Sequence, residues 1–207
     1  MTDKNPAIII NYGMGNVASV LNMSRFIGGD ARISTSPDDV RNASTLILPG
    51  VGAFDAGIRA LRETGMDSAI DKAVSDNDAT LLGICLGMQL LMESSEEGHL
   101  PGLALVPGRV KRFQFHDHGL RVPHMGWNSV QPVHYSKLFD AKAEDYRFYF
   151  VHSYHVECDD PQDVTGITRY GYDFTSAFEH GQVLGVQFHP EKSHQFGMTL
   201  LKRFLGV

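Results

Sequence analysis

The chain has 207 residues, of which 43% are hydrophobic and 20% charged, as is usual for a globular protein. A formal net charge of −6 without a basic block argues against nucleic-acid binding, and no apolar run is long enough to cross a bilayer. The two cysteines, Cys85 and Cys158, are far apart, and the polar amino-terminal segment lacks a signal core. We therefore expect one domain over residues 1–207, in the reducing cytoplasm.

In the first half of the chain, short apolar runs alternate with segments of helical periodicity. The continuous apolar run at residues 7–10 predicts a strand that is buried on both faces, the short apolar runs at 45–48 and 79–85 predict two more, and residues 31–35 could form another strand. Apolar residues at helical spacing predict helices over 17–27, 54–61 and 66–74. This alternation predicts an α/β fold with a mainly parallel sheet and helices on both faces.

The second half contains short strand-like segments separated by turns, at residues 109–115, 127–130, 148–156, 165–169 and 174–178. Because no linker precedes them, we expect these strands to extend or flank the sheet, partly in antiparallel pairs. A further apolar strand is predicted at 183–188, and Met198, Leu201 and Leu205 define a closing helix.

A cysteine stands at the corner between the apolar run 79–85 and the helical pattern that follows it. Gly83 and Gly87 flank Cys85 at minus two and plus two, which is the thiol form of the nucleophile elbow. Such glycines are required where a strained corner has neighbouring chain packed on both sides. The elbow places the sulfur at a helix amino terminus, where free amides favour the thiolate. Cys85 is therefore a candidate nucleophile.

A nucleophile needs a base and an orienting group. His189 lies just past the predicted strand 183–188, and Glu191 follows two residues later. Strand ends are where crevices form in open α/β sheets, so this imidazole can exchange protons with the thiol and the carboxylate can fix its tautomer. The glycine-rich turn 49–53 also follows a parallel strand. Its amides, with that of Leu86, could form an oxyanion hole or could belong to a simple tight turn.

Three stretches resemble, in the same order, the motifs of the class I, or triad, glutamine amidotransferases: PGVGAF at 49–54, GICLGMQ at 83–89 and GVQFHPE at 185–191. The resemblance implies the fold of that family, a flavodoxin-like α/β fold whose open, mainly parallel central sheet has helices on both faces and extra antiparallel strands. Further stretches resemble one branch of the family, at 11–16 (NYGMGN), 94–98 (SSEEG), 123–128 (PHMGWN) and 149–154 (YFVHSY).

The resemblance implies a glutaminase that needs no cofactor and no metal. Cys85 would attack the carboxamide of glutamine to give ammonia and a thioester, which water then hydrolyses to glutamate. His189 would be the general base and acid, and Glu191 would orient it. The amides of Gly52 and Leu86 would face the oxyanion, and the substrate would be held by Gln89, Ser153 and Tyr154.

In the branch that this chain resembles, the ammonia passes to a (β/α)8-barrel cyclase subunit in histidine biosynthesis. The resemblance therefore implies a heterodimer with such a cyclase, without nucleic-acid or membrane partners. It places Trp127, Asn128 and Tyr149 toward the cyclase, although core packing is the other interpretation of these aromatic residues. We expect the glutaminase to be weak alone, because free ammonia would be lost to solvent.

Two competing hypotheses keep the thiol chemistry. A peptidase or γ-glutamyl hydrolase would use the same fold, but would not need a surface for a partner. A glutaminase serving a sugar amidotransferase in surface-polysaccharide synthesis would differ only in its partner, and residues 192–198 (KSHQFGM) depart from the commoner glycine-rich ending.

A dinucleotide-binding protein and a metal site are two hypotheses that do not involve the thiol. Residues 13–18 satisfy the G-x-G-x-x-A pattern of dinucleotide-binding proteins, but the next predicted strand ends without the required acidic residue. A metal site at His152 and His155, or at His116 and His118, lacks the spacing of a structural zinc site.

Overall fold

The computed structural model describes residues 6–115, 119–140 and 146–207. Within them, twelve strands form one mixed sheet whose main path runs β2-β1-β3-β4-β12-β11-β10-β7-β8. The strands are β1 (Ala7–Ile10), β2 (Ala31–Ser34), β3 (Thr45–Gly50), β4 (Thr80–Cys85), β5 (Ser94–Ser95), β6 (Gly108–Arg112), β7 (His124–Pro132), β8 (Tyr146–His152), β9 (Tyr154–Cys158), β10 (Val164–Tyr170), β11 (Tyr172–His180) and β12 (Val183–Val186). The helices are α1 (Val17–Phe26), α2 (Pro37–Arg41), α3 (Phe54–Glu63), α4 (Met66–Asn77), α5 (Leu86–Leu90) and α6 (His194–Leu205).

The strands β2, β1, β3, β4 and β12 are parallel neighbours. Their side chains alternate between two cores: Leu46 and Leu48 pack on one side of the sheet, and Ile47 packs on the other. The first core includes apolar residues of α3, α4 and α5, and the second includes residues of α1 and α6. Helices therefore cover both faces, as the sequence predicts, and the central strands β1, β3, β4 and β12 are buried almost throughout, whereas the edge strand β2 exposes Arg32.

The register of the parallel strands brings three loops to one edge of the sheet. Gly50 at the end of β3 is paired with Cys85 at the end of β4. Val186 at the end of β12 is paired with Ile84. The glycine-rich turn, the elbow and the segment that carries His189 therefore emerge side by side, because carboxyl ends of parallel strands share an edge.

The remaining main-path strands are antiparallel: β11 pairs with β12 and β10, β10 pairs with β7, and β7 pairs with β8. Off this path, β9 pairs with β6 and β11. The long β7–β8 pair is buried on one face only, so its exposed residues alternate with its buried ones. None of the helices in the described parts of the chain is both long and apolar enough to cross a membrane.

Most predicted elements are present, but some boundaries are wrong. The single strand predicted at 148–156 is two strands, because the chain leaves β8 at Ser153 and the Ser153 carbonyl accepts a hydrogen bond from Phe113 N (3.1 Å). Beyond that residue, the chain pairs with different neighbours. The strand predicted at 109–115 ends at Arg112, and the helix α2, which Ser36 caps and Pro37 begins, was not predicted.

Candidate active site

Cys85 occupies a strained corner between β4 and α5. Its backbone φ and ψ are 55° and −111°, a conformation that L-residues rarely adopt. A Cβ at Gly87 would lie 1.8 Å from the Leu48 carbonyl oxygen, and one at Gly83 would lie 2.8 Å from the Gly87 carbonyl oxygen. The close packing of α5 against β3 therefore explains Gly87, and its close packing against β4 explains Gly83. Cys85 is 7% exposed and lies in the wall of a pocket.

The segment after β12 brings an imidazole and a carboxylate to the same edge. His189 Nδ1 lies 2.8 Å from Glu191 Oε1, and both side chains are 2% exposed. The backbone fixes this segment on its other side, because His189 N donates to the Tyr149 carbonyl (2.9 Å). Ser193 Oγ donates to the His189 carbonyl (2.6 Å) and accepts from Tyr149 N (3.0 Å). The ring is thus held by both a side chain and a neighbouring strand.

The electrostatics of His189 reflect this environment. Burial lowers its pKa, but the interactions with Cys85 and Glu191 outweigh burial and raise the pKa to about 9. Since Nδ1 is bonded to Glu191, the interaction with the thiol belongs to Nε2. Nε2 has no hydrogen bond of standard geometry within the described residues, so its contact with the sulfur is looser than a hydrogen bond. Such loose contacts between nucleophile and base are common without substrate.

A pocket of about 330 Å³ opens over the thiol. It brings together seven of the eight residues predicted to be catalytic or substrate-binding; Glu191 lies behind His189 instead. The lining residues are Val51, Gly52, Cys85, Leu86, Gln89, Glu97, Pro123, Val151, His152, Ser153, Tyr154 and His189.

The two predicted oxyanion positions line the same pocket as the thiol. Gly52, in the turn between β3 and α3, has a φ of +116°, and Leu86 begins α5 directly after Cys85. Both residues line the pocket, and Val51 beside Gly52 is exposed. Both backbone positions therefore lie at the pocket that contains the thiol. Their role in stabilising an oxyanion stays a prediction.

Gln89 lies one turn along α5, and its side-chain amide nitrogen donates two hydrogen bonds. Nε2 donates to the Tyr154 carbonyl (3.1 Å) and to Gln187 Oε1 (3.0 Å), so both amide protons are used. Gln187 in turn places its own Nε2 3.8 Å from Cys85 Sγ. The Oε1 atom of Gln89 is therefore the group that can face a ligand in the pocket.

The sequence prediction omitted three residues that build this site: Gln187, Ser193 and Glu97. Gln187 and Ser193 are fully buried polar side chains next to His189. Glu97 lines the pocket and accepts a hydrogen bond from Phe54 N (2.9 Å), which caps α3 where Ala53 cannot. Each lies in or directly beside one of the motif stretches, and that position was the only available signal.

The three residues predicted to face a partner are not on one side of the sheet. Trp127 is 42% exposed, lies opposite Tyr149 in the β7–β8 register and stacks on His194 at 5.6 Å. Asn128, the next residue, is half-buried, and its Nδ2 is bonded to the Arg169 carbonyl (3.0 Å) and to His124 Nε2 (3.2 Å). Core packing therefore does not account for Trp127, whereas Asn128 is engaged within the molecule.

The metal hypothesis gains no support from the geometry. His116 and His118 lie outside the described residues. Among the residues that the structure describes, no group of three or more His, Cys, Asp or Glu side chains is placed to hold a metal ion.

Comparison with known proteins identifies the class to which this site belongs. Residues 8–206 match the family glutamine amidotransferase class-I, so the chain belongs to that family. Over 197 residues it is 48% identical to imidazole glycerol phosphate synthase subunit HisH 2 of Methanococcus maripaludis, covering 95% of this chain and 97% of that protein. It is 46% identical over 201 residues to subunit HisH of Bdellovibrio bacteriovorus, covering 96% and 98%.

Solved structures agree on the fold. PurLQS from Thermotoga maritima superimposes with a TM-score of 0.75 at 19% identity, covering 98% of each chain. A structure described as glutamine amidotransferase gives 0.73 at 18% identity, covering 97% of this chain and 99% of that one. At this identity the likeness concerns the architecture alone.

Proposed function

We propose that this chain is the glutaminase subunit of an imidazole glycerol phosphate synthase, a cytoplasmic heterodimer in histidine biosynthesis. The whole of residues 1–207 would act as one amidotransferase domain. The observation that carries the proposal is that Cys85 and His189 line one pocket, with Glu191 bonded to His189 behind it, in a chain that is nearly half identical to named subunits of that synthase.

The first half of the reaction releases ammonia. The Cys85 thiolate attacks the side-chain carbonyl carbon of glutamine, and the C=O electrons move to oxygen. The amides of Gly52 and Leu86 would stabilise that oxyanion. The His189 imidazolium gives its Nε2 proton to the amide nitrogen, the C–N bond breaks, and ammonia leaves a thioester on Cys85.

The second half of the reaction restores the enzyme. Water loses a proton to the neutral His189 as its oxygen attacks the thioester carbon. The C–S bond then breaks, and glutamate leaves with the thiolate and imidazolium regenerated. Glu191 holds Nδ1 throughout, so that Nε2 remains directed at the reacting atoms.

The substrate would lie along α5 and the start of β9. The Oε1 atom of Gln89 is available to accept a hydrogen bond from the α-ammonium group, since its Nε2 is already engaged. Ser153 and Tyr154 also line the pocket, beside Gln89, which is bonded to the Tyr154 carbonyl. A pocket of about 330 Å³ is large enough for a single amino acid.

The outward face of β7 and β8 is the proposed docking surface for a (β/α)8-barrel cyclase. It presents Met125 (61% exposed) and Trp127 opposite Val151 and Tyr149, a contiguous apolar patch. Val151 also lines the pocket, so the surface reaches the place where ammonia forms. The cyclase would use this ammonia to make imidazole glycerol phosphate and AICAR. Nothing observed favours a sugar amidotransferase as the partner, and the HisH relatives are subunits of the synthase.

The test has a chemical arm and a partner arm. The electrophile 6-diazo-5-oxo-L-norleucine mimics glutamine and should label wild-type protein and Cys158→Ser, but not Cys85→Ser. In the partner arm, co-expression with a barrel cyclase should give a stable complex with higher glutaminase activity and should restore growth of a histidine auxotroph lacking its glutaminase. Labelling that persists in Cys85→Ser would refute the chemistry. Failure of both complex formation and rescue would refute the pathway.

A further inference from the structure

Two buried histidines lie in a hydrogen-bonded chain that ends at the pocket. His124 on β7 and His152 on β8 are opposite each other in the strand register and are 3% and 6% exposed. His124 Nδ1 lies 2.9 Å from His152 Nε2, and His152 Nδ1 lies 2.7 Å from the Tyr154 carbonyl oxygen. At the other end, His124 Nε2 lies 3.2 Å from the Asn128 amide nitrogen.

The direction of every bond in this chain follows from its ends. A carbonyl oxygen only accepts, so His152 Nδ1 carries a proton, and His152 Nε2 is the acceptor because burial keeps the ring neutral. His124 Nδ1 must then be the donor, which leaves His124 Nε2 to accept from the Asn128 amide. Both rings are therefore neutral Nδ1–H tautomers, and each hydrogen bond in the chain has only one possible direction.

The surroundings maintain this neutral state. Burial lowers the pKa of His124 to about 4 and that of His152 well below its ordinary value. Three imidazoles face His152, those of His124, His155 and His189, and a positive charge on any of them further disfavours protonation. His124 is also stacked between Phe150 and Tyr170, with ring centroids 4.8 and 4.0 Å away.

The chain ends on an atom that organises the substrate wall. The Tyr154 carbonyl accepts from His152 Nδ1 and from Gln89 Nε2, and Gln89 also donates to Gln187 beside the thiol. His152 itself lines the pocket. If His152 changed tautomer, its Nδ1 would present a lone pair to this carbonyl and repel it. The position of Gln89 therefore depends on which nitrogen of His152 is protonated.

We propose that His124 is a positioning residue for glutamine binding: its Nδ1–H holds His152 in the tautomer that anchors the Tyr154 carbonyl and, through it, Gln89. The proposal rests on the proposed glutaminase function, because Gln89 matters only if glutamine occupies this pocket. His124 does not reach the pocket itself, so it acts through His152.

Two substitutions at His124 separate hydrogen bonding from packing. His124→Phe keeps a ring between Phe150 and Tyr170 but removes the donor, whereas His124→Asn keeps an N–H near the Nδ1 position but removes the ring. We expect His124→Phe to raise the KM for glutamine about tenfold, the effect of losing one well-formed hydrogen bond, with kcat within about twofold. His124→Asn should keep KM within about threefold. His155→Phe is the matched control, since His155 lies in the same aromatic cluster but bonds to Tyr172 instead.

If His124→Asn raised the KM for glutamine more than His124→Phe does, packing of the ring and not its hydrogen bond would matter. That result would overturn the proposal. A second readout does not depend on activity or on any variant. In ¹H–¹⁵N long-range spectra of the wild-type protein, His152 should have a protonated Nδ1 and an unprotonated Nε2, and the reverse pattern would also overturn it. A wild-type protein that shows this tautomer but does not hydrolyse glutamine would instead refute the proposed function.

Discussion

The parallel and antiparallel regions of the sheet contribute to the site in different ways. The parallel strands β3, β4 and β12 are buried on both faces and end in turns that carry Gly52, Cys85 and His189. The antiparallel strands β7 and β8 are buried on one face only. Their ends and the start of β9 supply His152 and Tyr154, and their exposed face carries Trp127.

The difference follows from how tightly each region constrains its residues. A strand between two cores, with neighbours on both edges, leaves its last residue little freedom, which suits groups that must meet within fractions of an ångström. The β7–β8 pair lies at one end of the main path and has an open face. That arrangement suits groups that contact a ligand or another protein.

The sharpest way to test this division is to compare the two cysteines. Cys85→Ala in the parallel region should reduce glutaminase kcat on the order of 10⁴-fold or more, because Cys85 carries the only thiol among the described residues that line the pocket with His189. Cys158→Ala on β9 should leave kcat within about twofold. Steady-state assays of both variants, with thermal unfolding to confirm folding, provide the measurement. A comparable loss in Cys158→Ala would contradict the assignment.

Two glutamates extend the comparison. Glu191→Gln should lower kcat about 10²- to 10³-fold with little change in KM, since it removes the charge that stabilises the imidazolium. Glu157→Gln on β9 disrupts an exposed pairing with Arg109 and Lys111 and should not change kcat. Equal kcat values for the two variants would argue against a triad.

Two glycines compare the packing of the regions. Gly87→Ala should reduce the free energy of unfolding by about 3 kcal/mol or more, because the new Cβ would overlap the Leu48 carbonyl. Gly126→Ala on β7 meets no atom within 4 Å and carries only the strain of a φ of +128°, so about 1–2 kcal/mol is expected. Urea denaturation measures both, and a smaller loss at position 87 would contradict the packing described.

The histidines of the two regions should respond to pH in opposite directions. The pKa of His189 is raised in the fold to about 9, so its contribution to stability is complete below about pH 6.5 and is lost as the pH rises toward 9. We expect wild-type protein to lose about 2–3 kcal/mol more than His189→Asn between pH 6.5 and 9. Denaturation curves of both proteins at the two pH values test this. Equal losses of unfolding free energy in wild type and His189→Asn would contradict it.

In the antiparallel region, the stability contributed by the histidine changes with pH in the opposite direction. Burial lowers the pKa of His124 to about 4, so its contribution is present above about pH 6.5 and is lost as the pH falls toward 4. Wild-type protein should therefore lose about 1.5 kcal/mol more than His124→Phe between pH 6.5 and 5. The same denaturation experiment at acidic pH measures it. If the difference in unfolding free energy between wild type and His124→Phe is the same at both pH values, His124 is not held neutral.

The parallel region was predictable because its strands are short apolar runs and its chemistry lies in compact motifs. Cys85, His189 and Glu191 each follow or end a buried strand, so their convergence could be inferred from topology. The antiparallel region was less predictable. The break at Ser153 separates two stretches of similar aromatic and apolar composition, and only their pairing partners distinguish them.

The supporting residues could not be predicted for a related reason. Gln187, Ser193 and the pair His124 and His152 act through hydrogen bonds to groups distant in the chain, and their residue types carry no local pattern. A buried glutamine or histidine looks the same in sequence whether it is structural or part of a site. Asn128 shows the converse, because its neighbour Trp127 is exposed while Asn128 is bonded internally.

The position of β12 has a consequence for how the chain acquires activity during synthesis. β12 lies between β4 and β11, yet it pairs with β4 across about one hundred residues of sequence. Such distant pairing closes late in folding, after the local hairpins and helices have formed. A nascent chain that has not yet emerged beyond residue 182 therefore contains Cys85 but not His189 and Glu191, which follow β12. By the proposed mechanism, ammonia release would begin only when β12 is inserted between β4 and β11.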